Sequence, residues 1–350
     1  MLSLRAETIL NSIVRQYIAQ ATPVPSQVVC KDCKLGASPA TIRSEMARLE
    51  QGGYVIRPHP SAGSIPSDRG YRYYVESLNE ITLPLAEQRL ISHLFHQVNK
   101  EQEEWLSLAA TVIAQFAQNV AVVTRPKLVD CKLKHLELVA IQDTLVLLVL
   151  IFYGARVKQQ LLTFDPAIPQ TELTAMANKL NEAYSCLNSS QILEKEVELS
   201  TVERQLIDSV TKIMQAEDET EYEDPYLDGW HFILNQPEFV HTNQLLDLME
   251  LVEHRSLLKT ISPQGLDIYE VRVVIGKENN AEAIRNCSVV ISRYGLPGEA
   301  AGVIGVVGPT RMPYGRTIST VCYISSILGK LVAELYGRET STGVPTADTN

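Results

Sequence analysis

The stretch "LGASPATIRSEMARLEQGGYVIRPHPSAG", residues 35–63, combines arginines, hydroxyl residues and turn-forming residues. Ser38 and Pro39 predict the start of a helix, because a serine side chain caps free N–H groups and proline fits the first helical position. Gly52-Gly53 predicts its end. Apolar residues recur at helical spacing and predict one inward face: Ile42, Met46 and Leu49. The segment therefore predicts a short helix with a polar face opposite its buried one.

Further helices and a short strand are predicted on both sides of this helix. An amphipathic helix is predicted over Leu4–Ala21, and a short second helix over Gln27–Lys31, after the prolines of "TPVPS". "YVIRP" (54–58) predicts a strand, "HPSAGSIPS" (59–67) a hairpin or loop, and Asp68 the start of another helix. This order is typical of a winged helix-turn-helix domain, in which the helix after the tight turn enters the major groove of DNA.

The polar face of the third helix and the loop after it provide the candidate DNA contacts. Arginine can pair with guanine through two hydrogen bonds, and hydroxyl groups can reach bases or phosphates. The candidates on the helix are Ser38, Thr41, Arg43, Ser44 and Arg48. The candidates in the loop are Arg57, His59 and Ser61. The alternative interpretation is a small helical domain whose polar face is merely solvated.

The charge of the chain is unevenly distributed. The net charge is −10, yet residues 1–80 carry nine basic and seven acidic side chains, against 22 and 34 in the remainder. A negative protein is repelled by nucleic acids and anionic membranes, so a polyanionic partner must meet the N-terminal part. The longest apolar run, residues 145–153, is too short to span a bilayer.

The N-terminus and the cysteines point to a compartment. The first 20 residues lack the apolar region of a signal peptide, and the six cysteines are dispersed along the chain. Such cysteines are typical of reduced proteins. Together with the short apolar run, these features predict a cytoplasmic protein with no membrane partner.

The remainder of the chain is predicted to be an α+β region. The predicted helical segments are 85–118, 168–217, 243–259 and 313–337. The predicted strands are 135–142, 144–153, 155–164, 268–276, 287–294 and 301–308. An acidic run, "EDETEYED" (217–224), ends the second helical segment and predicts a solvated loop. Strands, a helical interval and strands again indicate an antiparallel α/β domain with a second unit inserted into it.

Several segments resemble signatures of HrcA, the heat-inducible transcription repressor family of bacteria. They are "SPATIRSEMARLE" (38–50), "GYVIRPHPSAGSIPSDRGYRYYV" (53–75), "IGKENN" (275–280), "CSVVISRYG" (287–295) and "GPTRMPY" (308–314). The resemblance implies a winged-helix domain followed by a linker helix, a GAF-like domain in two segments, an inserted dimerising domain and a disordered tail. The implied bounds are 1–80 for the winged helix, 81–104 for the linker, 105–164 and 225–340 for the GAF-like domain, 165–224 for the insert and 341–350 for the tail.

The resemblance also implies a function. Members of the family act as homodimers that repress chaperone operons at CIRCE, an inverted-repeat operator in double-stranded DNA. The GroEL chaperonin keeps the repressor active, and heat shock relieves repression by diverting the chaperonin. No cofactor and no enzymatic activity are expected.

The chain departs from the family pattern in two places. The usual wing "PHTSAGRIP" is "PHPSAGSIP" here, with Pro60 for threonine and Ser64 for arginine. The usual "IRNEMADLE" is "IRSEMARLE", which places Ser44 and Arg48 on the third helix. Loss of the wing arginine removes one potential phosphate contact, and our hypothesis is that Arg48 offsets it.

One alternative function is a ligand-sensing regulator. In that hypothesis a small molecule in the GAF-like domain sets DNA affinity, and "KENN" (277–280) together with Arg293 lines its pocket. The opposing interpretation is that these residues only build turns and an interface for the chaperonin. An RNA-binding patch at "RYYV" (72–75) is a further alternative, against which the helical spacing of Tyr71, Tyr74 and Leu78 indicates packing.

Enzyme and metal interpretations have little support in the sequence. Cys30 and Cys33 have the spacing of two zinc ligands, but no second pair follows, so incidental cysteines or a redox pair remain as interpretations. "GVIGVVGPTRMPYGR" (302–316) lacks the Gly-Lys-Ser/Thr of a phosphate loop. The histidines are dispersed, and no GxSxG motif is present.

Overall fold

The computed structural model describes residues 2–33, 38–59, 62–78, 81–98, 101–128, 131–153, 157–219, 225–239, 246, 249, 266–297 and 300–336. The protein is a mixed α/β structure. It divides into two compact units, each made of more than one chain segment. The first is Met1–Arg125, Asp224–Gly295 and Gly302–Leu331; the second is Pro126–Glu223, Leu296–Ala301 and Val332–Asn350.

The helices and strands are numbered in chain order. The helices are α1 (Leu4–Gln20), α2 (Ser26–Cys33), α3 (Pro39–Gln51), α4 (Asp68–Glu76), α5 (Leu85–Gln97), α6 (Gln102–Ala117), α7 (Gln170–Tyr184), α8 (Ser189–Glu194), α9 (Thr201–Glu219), α10 (Trp230–Leu234) and α11 (Tyr314–Leu335). The strands are β1 (Val55–Ile56), β2 (Ile65–Pro66), β3 (Val120–Val123), β4 (Lys127–Leu128), β5 (Leu133–Ala140), β6 (Leu145–Phe152), β7 (Val157–Thr163), β8 (Tyr226–Asp228), β9 (Val271–Ile275), β10 (Cys287–Leu296) and β11 (Ala300–Pro309).

Helices α1 to α4 and strands β1 and β2 form what we call the N-terminal bundle. Helices α1, α2 and α3 pack against one another, and α4 packs against α1. Strands β1 and β2 are antiparallel, with Val55 opposite Pro66 and Ile56 opposite Ile65. The amphipathic pattern of α1 buries one stripe in the core: Ile9, Leu10, Ile13 and Val14. The order of elements predicted for the first 76 residues is thus the order observed.

Serine caps set the starts of three helices in the bundle. The Ser38 Oγ accepts a hydrogen bond from the Thr41 N–H at 3.2 Å, and Pro39 is the first residue of α3. The Ser67 Oγ accepts from the Gly70 N–H at 3.1 Å and donates to the Gly53 carbonyl at 2.6 Å. Ser3 caps α1 in the same way. These hydroxyls satisfy N–H groups that a helix leaves unpaired at its start.

A larger sheet occupies the rest of the first unit, with strand order β8-β3-β11-β10-β9. Strand β3 is antiparallel to β8 and to β11, and β10 is antiparallel to β9. Helix α6 packs against β3 and β8, and every residue of β11 is buried. A strand covered on both faces needs small or apolar residues throughout, as in "AAGVIGVVGP".

A three-stranded antiparallel sheet, β5-β6-β7, organises the second unit. Burial alternates strictly along β6, so one face of this sheet is inside and the other is partly open. Helix α7 packs on β5, and the inner face shares one core with α7, α8 and α9. The outer face exposes apolar side chains, which include Val139, Val157 and Leu161.

The observed partition differs from the predicted one. Strands β5 to β7 were expected in the GAF-like domain, with the insert beginning at residue 165, but they pair with one another and share their core with α7 to α9. Strands β3 and β8 complete the larger sheet instead. Both have weak signals in the sequence, because β3 is only a short apolar run and β8 is only three residues before a glycine. The inward residues of β6 match the apolar stripes of α7 and α9, and this packing decides the partition.

Two predicted segments lie outside the described residues. They are the helix over 243–259, apart from residues 246 and 249, and the tail over 341–350. Helix α9 continues to Glu219, so the first residues of the predicted acidic loop are helical, and residues 220–224 lie outside the described part.

Among the described helices, α11 is long and apolar enough to cross a membrane by length and composition. Half of that segment is buried inside the protein, where Val321, Ile324, Leu328 and Val332 are fully covered. Core helices meet the same criterion.

Candidate nucleic-acid interface

Helix α3 has one buried and one open face. Ile42, Met46 and Leu49 are at most 3% exposed and face the bundle core. On the other side, Arg43, Ser44 and Arg48 are exposed, and Thr41 is half-buried. Ile42, Met46 and Leu49 therefore lie inward as predicted, while contact of the outward residues with DNA stays a prediction. The Thr41 Oγ1 lies 3.0 Å from the Ser38 Oγ, so Thr41 takes part in the cap.

The two arginines of α3 make weak contacts with their own bundle. The Arg48 side chain is 72% exposed and pairs with the Glu45 carboxylate at 3.1 Å. The Arg43 Nε donates to the Ser26 Oγ at 3.4 Å. Exposed contacts of this kind contribute little to stability. Both guanidinium groups can therefore leave their present partners and bind a stronger anionic partner at a small cost in free energy.

The segment between β1 and β2 places its candidate residues differently. Arg57 pairs with Glu50 at 3.4 Å, which ties the loop to the end of α3, and its side chain is 29% exposed. His59 is exposed, and Ser61 lies outside the described residues. Of the three loop candidates, His59 is thus the one that the structure shows to be exposed to solvent.

Ser64 is buried at the base of this loop. Its N–H and carbonyl form two hydrogen bonds with Val24, each 2.9 Å long. Gly63 permits this approach, because a Cβ at residue 63 would lie 2.4 Å from the Val24 carbonyl carbon. The position at which the family resemblance expects a wing arginine is therefore fully covered here.

Arg69 is a candidate that the sequence analysis missed. It is exposed in the first turn of α4, donates to the Gly52 carbonyl at 2.9 Å and lies over the Tyr54 ring at 4.5 Å. Arg69 thus adds a positive charge beside the C-terminus of α3. The sequence signal for it is the "SDRGYRY" segment (67–73), which by itself predicts only a helix start.

The cysteines of α2 fit a structural role. The Cys33 thiol donates to the Thr8 carbonyl at 3.6 Å, and burial raises the pKa of this thiol above its ordinary value. No group of three or more His, Cys, Asp or Glu residues that could hold a metal ion occurs within the described ranges. The redox hypothesis for Cys30 and Cys33 stays a hypothesis.

Polar contacts join α4 to the β9 edge of the larger sheet. The Arg72 Nε donates to the Glu278 Oε1 at 2.9 Å, and a second guanidinium nitrogen donates to the Val273 carbonyl at 2.7 Å. The Asp68 carboxylate accepts from the Lys277 N–H at 3.0 Å. Gly276 has a φ of +54°, and a Cβ there would lie 2.5 Å from the Asp68 carboxyl atoms.

Two further contacts join the bundle to the rest of the first unit. The Arg311 guanidinium donates to Glu238 and, at 3.4 Å, to the Ile18 carbonyl at the end of α1. The rings of Tyr71 and Tyr314 pack 5.8 Å apart, and burial raises the pKa of both hydroxyls. Both tyrosines therefore stay neutral in the core.

The residues proposed for a ligand pocket do not converge. Lys277 lines a cavity beside α4, whereas the Arg293 guanidinium donates to the Leu266 carbonyl at 3.0 Å. Asn279 is buried and donates to the carbonyls of Gly276, Ile284 and Cys287. Asn279 and Arg293 thus stabilise the backbone.

The relatives of this chain are transcription repressors, which places it in the class of transcription regulators and agrees with a small helical bundle that presents an open arginine- and hydroxyl-bearing helix. Residues 103–318 match the family described as HrcA protein C terminal domain. The chain belongs to the HrcA family, and its relatives match it over nearly the full length.

The relatives share one name. The heat-inducible transcription repressor HrcA of Dehalococcoides mccartyi is 51% identical over 97% of this chain and 98% of its own length. That of Roseiflexus castenholzii is 42% identical over 97% of this chain and 96% of its own length. A crystal structure of a hypothetical protein has a TM-score of 0.58 at 23% identity, covering 95% of this chain and 98% of that one, which supports the fold alone.

Proposed function

We propose that the N-terminal bundle is a winged-helix DNA-binding domain and that the chain represses chaperone operons. The observation that carries this proposal is the arrangement of α3: Arg43, Ser44 and Arg48 are open on the face opposite its buried stripe. The antiparallel pair β1–β2 follows, as a wing follows the recognition helix. The names of the relatives, heat-inducible transcription repressors, support the regulatory role.

In this proposal α3 lies in the major groove, and its arginine and hydroxyl side chains make different contacts with the DNA. Arg43 and Arg48 pair with guanine edges, and Ser38, Thr41 and Ser44 reach bases or phosphates. Arg57, His59 and Ser61 of the wing contact the backbone, and Arg69 adds a phosphate contact. Occupying the promoter is sufficient for repression, so the proposal needs no bond-breaking chemistry and no cofactor.

A homodimer would present two such helices to an inverted repeat. The outer face of the β5-β6-β7 sheet supports a second copy of this chain as the partner. Val139, Leu147 and Leu161 lie side by side across its three strands, and Val157 follows on β7. Leu161 is 57% exposed in the single chain, and exposed apolar side chains grouped on one face are typical of a protein–protein interface.

The operator and the regulation in this proposal follow the family resemblance. The operator is the inverted repeat CIRCE, the GroEL chaperonin keeps the repressor active, and heat stress releases repression. The protein acts in the cytoplasm, where chaperone promoters and chaperonin are both present.

A footprint on chaperone promoters tests the proposal. Full-length protein, with and without chaperonin, is titrated onto duplexes that carry the inverted repeat or a scrambled version of it. We expect protection of both half-sites of the intact repeat alone, with affinity falling steeply as salt rises because phosphate contacts release counterions. Equal affinity for the scrambled duplex in folded protein would contradict the proposal.

A further inference from the structure

A polar cavity of about 350 Å³ lies where α4 meets the larger sheet of the first unit. Its lining residues come from five separate segments and are all polar: Asp68, Glu238, Lys277, Arg285, Asn286 and Thr310. Asp68 is the first residue of α4, Lys277 follows β9, and Thr310 follows β11. Cavities of this volume are large enough for a small metabolite.

The two acidic side chains of the cavity are already engaged. The Asp68 carboxylate accepts the Lys277 N–H at 3.0 Å and lies directly against Gly276, but neither contact removes its negative charge. The Glu238 carboxylate accepts from the Arg311 guanidinium, whose charge it balances. One negative charge, that of Asp68, therefore remains in the lining.

The two basic side chains of the cavity are in the opposite situation. Lys277 and Arg285 are exposed, and within the described part of the chain neither side chain forms an ion pair or a hydrogen bond. Because Glu238 is balanced by Arg311, the two positive charges of Lys277 and Arg285 face the single negative charge of Asp68. The charge that remains in the lining of the cavity is therefore positive.

We propose that this cavity binds a small metabolite that carries phosphate or carboxylate groups. The Lys277 ammonium and the Arg285 guanidinium bind the oxyanion, since lysine acts as a point charge and arginine as a two-pronged donor. Asn286 and Thr310 add neutral hydrogen bonds. The separate segments explain why the pattern "KENN" with Arg293 did not find this site.

The position of the cavity links its ligand to the N-terminal bundle. Asp68 belongs to the bundle, and the two cations belong to the segments that hold the sheet edge, so a bound anion would stabilise the first unit where the two meet. This proposal is independent of the DNA-binding function, because binding to the cavity is measured without DNA.

The test uses full-length protein with pyrophosphate and citrate as probes, each titrated by calorimetry at constant ionic strength set with potassium chloride. The variants are K277Q and R285Q. Matched controls are K212Q and R204Q, which remove the same charges from exposed positions of α9. Circular dichroism establishes that all four variants are folded.

We expect saturable binding of at least one probe with one site per chain. Each cavity variant should weaken it by about tenfold, the loss of one charge-assisted hydrogen bond, and the controls should leave it unchanged. A preference for pyrophosphate assigns a phosphate-bearing ligand, and a preference for citrate a carboxylate-bearing one.

Two results would overturn the proposal. The first is that neither probe binds to folded wild-type protein in the millimolar range; if K277Q and R285Q then also reduce the salt dependence of operator binding, both cations are assigned to the DNA backbone. The second is equal weakening by the cavity and control variants, which indicates general charge attraction.

Discussion

Arg48 is the residue at which the DNA-reading proposal is most open to test. Its side chain is exposed and pairs weakly with Glu45, so Arg48→Ala should leave the fold intact. If Arg48 pairs with guanine, the variant should lose about 1–3 kcal/mol of operator binding and relax specificity at one base pair. Affinities of a panel of single-base operator variants measure both effects.

Arg89→Ala is the matched control for this prediction, because Arg89 is exposed on α5, outside the bundle. It should reduce affinity little and equally on every operator. Unchanged affinity of Arg48→Ala on the whole panel would remove Arg48 from base reading.

Gly63 is a residue at which a single methyl group should be costly. A Cβ there would lie 2.4–2.6 Å from backbone atoms of Pro23 and Val24, so the two strands of backbone would have to separate. Gly63→Ala should lower the free energy of unfolding by about 1–3 kcal/mol, as overpacking does. Thermal unfolding of the full chain measures the loss.

The neighbouring Ser64→Ala is the control for Gly63→Ala. The Ser64 hydroxyl is buried and has no hydrogen-bond partner among the described residues, so its removal should be neutral or slightly stabilising. If both variants were equally destabilised, the close contact at Gly63 would not be the cause.

At the scale of elements, the start of α9 predicts a pH dependence. The Glu203 carboxylate is buried, which opposes its charge, but it accepts from the Ser200 N–H at 2.7 Å and pairs with Lys179 at 2.9 Å. These partners outweigh burial and lower the pKa of Glu203. A lowered folded-state pKa contributes stability above the unfolded pKa, and this contribution is lost as the pH falls through the folded pKa.

Hydrogen exchange of the α9 amides at neutral and acidic pH measures this effect. Wild-type protection should fall on acidification, while Glu203→Gln should have low protection at neutral pH and a flatter pH profile. Glu196→Gln, at an exposed position shortly before α9, should behave as the wild type. An identical pH profile in Glu203→Gln and wild type would contradict this account.

Local chemistry made the N-terminal bundle predictable from the sequence. Ser38-Pro39 specifies the start of α3 through a cap that needs only three neighbouring residues, and the apolar spacing specifies its inner face. The assignment of β5 to β7 depends on which distant apolar faces meet, and neither propensity nor spacing contains that information. The burial of Ser64 likewise depends on a contact with Val24, forty positions earlier in the chain.

At the scale of the whole molecule, Arg72 and Glu278 should be energetically coupled. The guanidinium donates to both carboxylate oxygens and to the Val273 carbonyl, so the pair is held by several hydrogen bonds. A double-mutant cycle of Arg72→Ala and Glu278→Ala should give a coupling free energy of about 1 kcal/mol, because such multiple charge-assisted bonds exceed a simple surface pair.

The matched pair is Arg316 and Glu87, which make one contact at 3.3 Å. Its cycle should give a smaller coupling, in the range of ordinary surface pairs. Equal couplings for the two pairs would show that the contacts of Arg72 do not hold α4 more firmly than any surface charge would.

The close approach of Gly276 to the Asp68 carboxylate has a consequence for how the molecule can be altered. Any side chain at residue 276 would push α4 away from the edge of the sheet at β9, and the displacement would grow from alanine to valine. Such a series would loosen the contact between α4 and the β9 edge by steps while every residue proposed to face DNA stays unchanged. The rigidity of that contact could then be varied separately from the chemistry of the proposed DNA recognition.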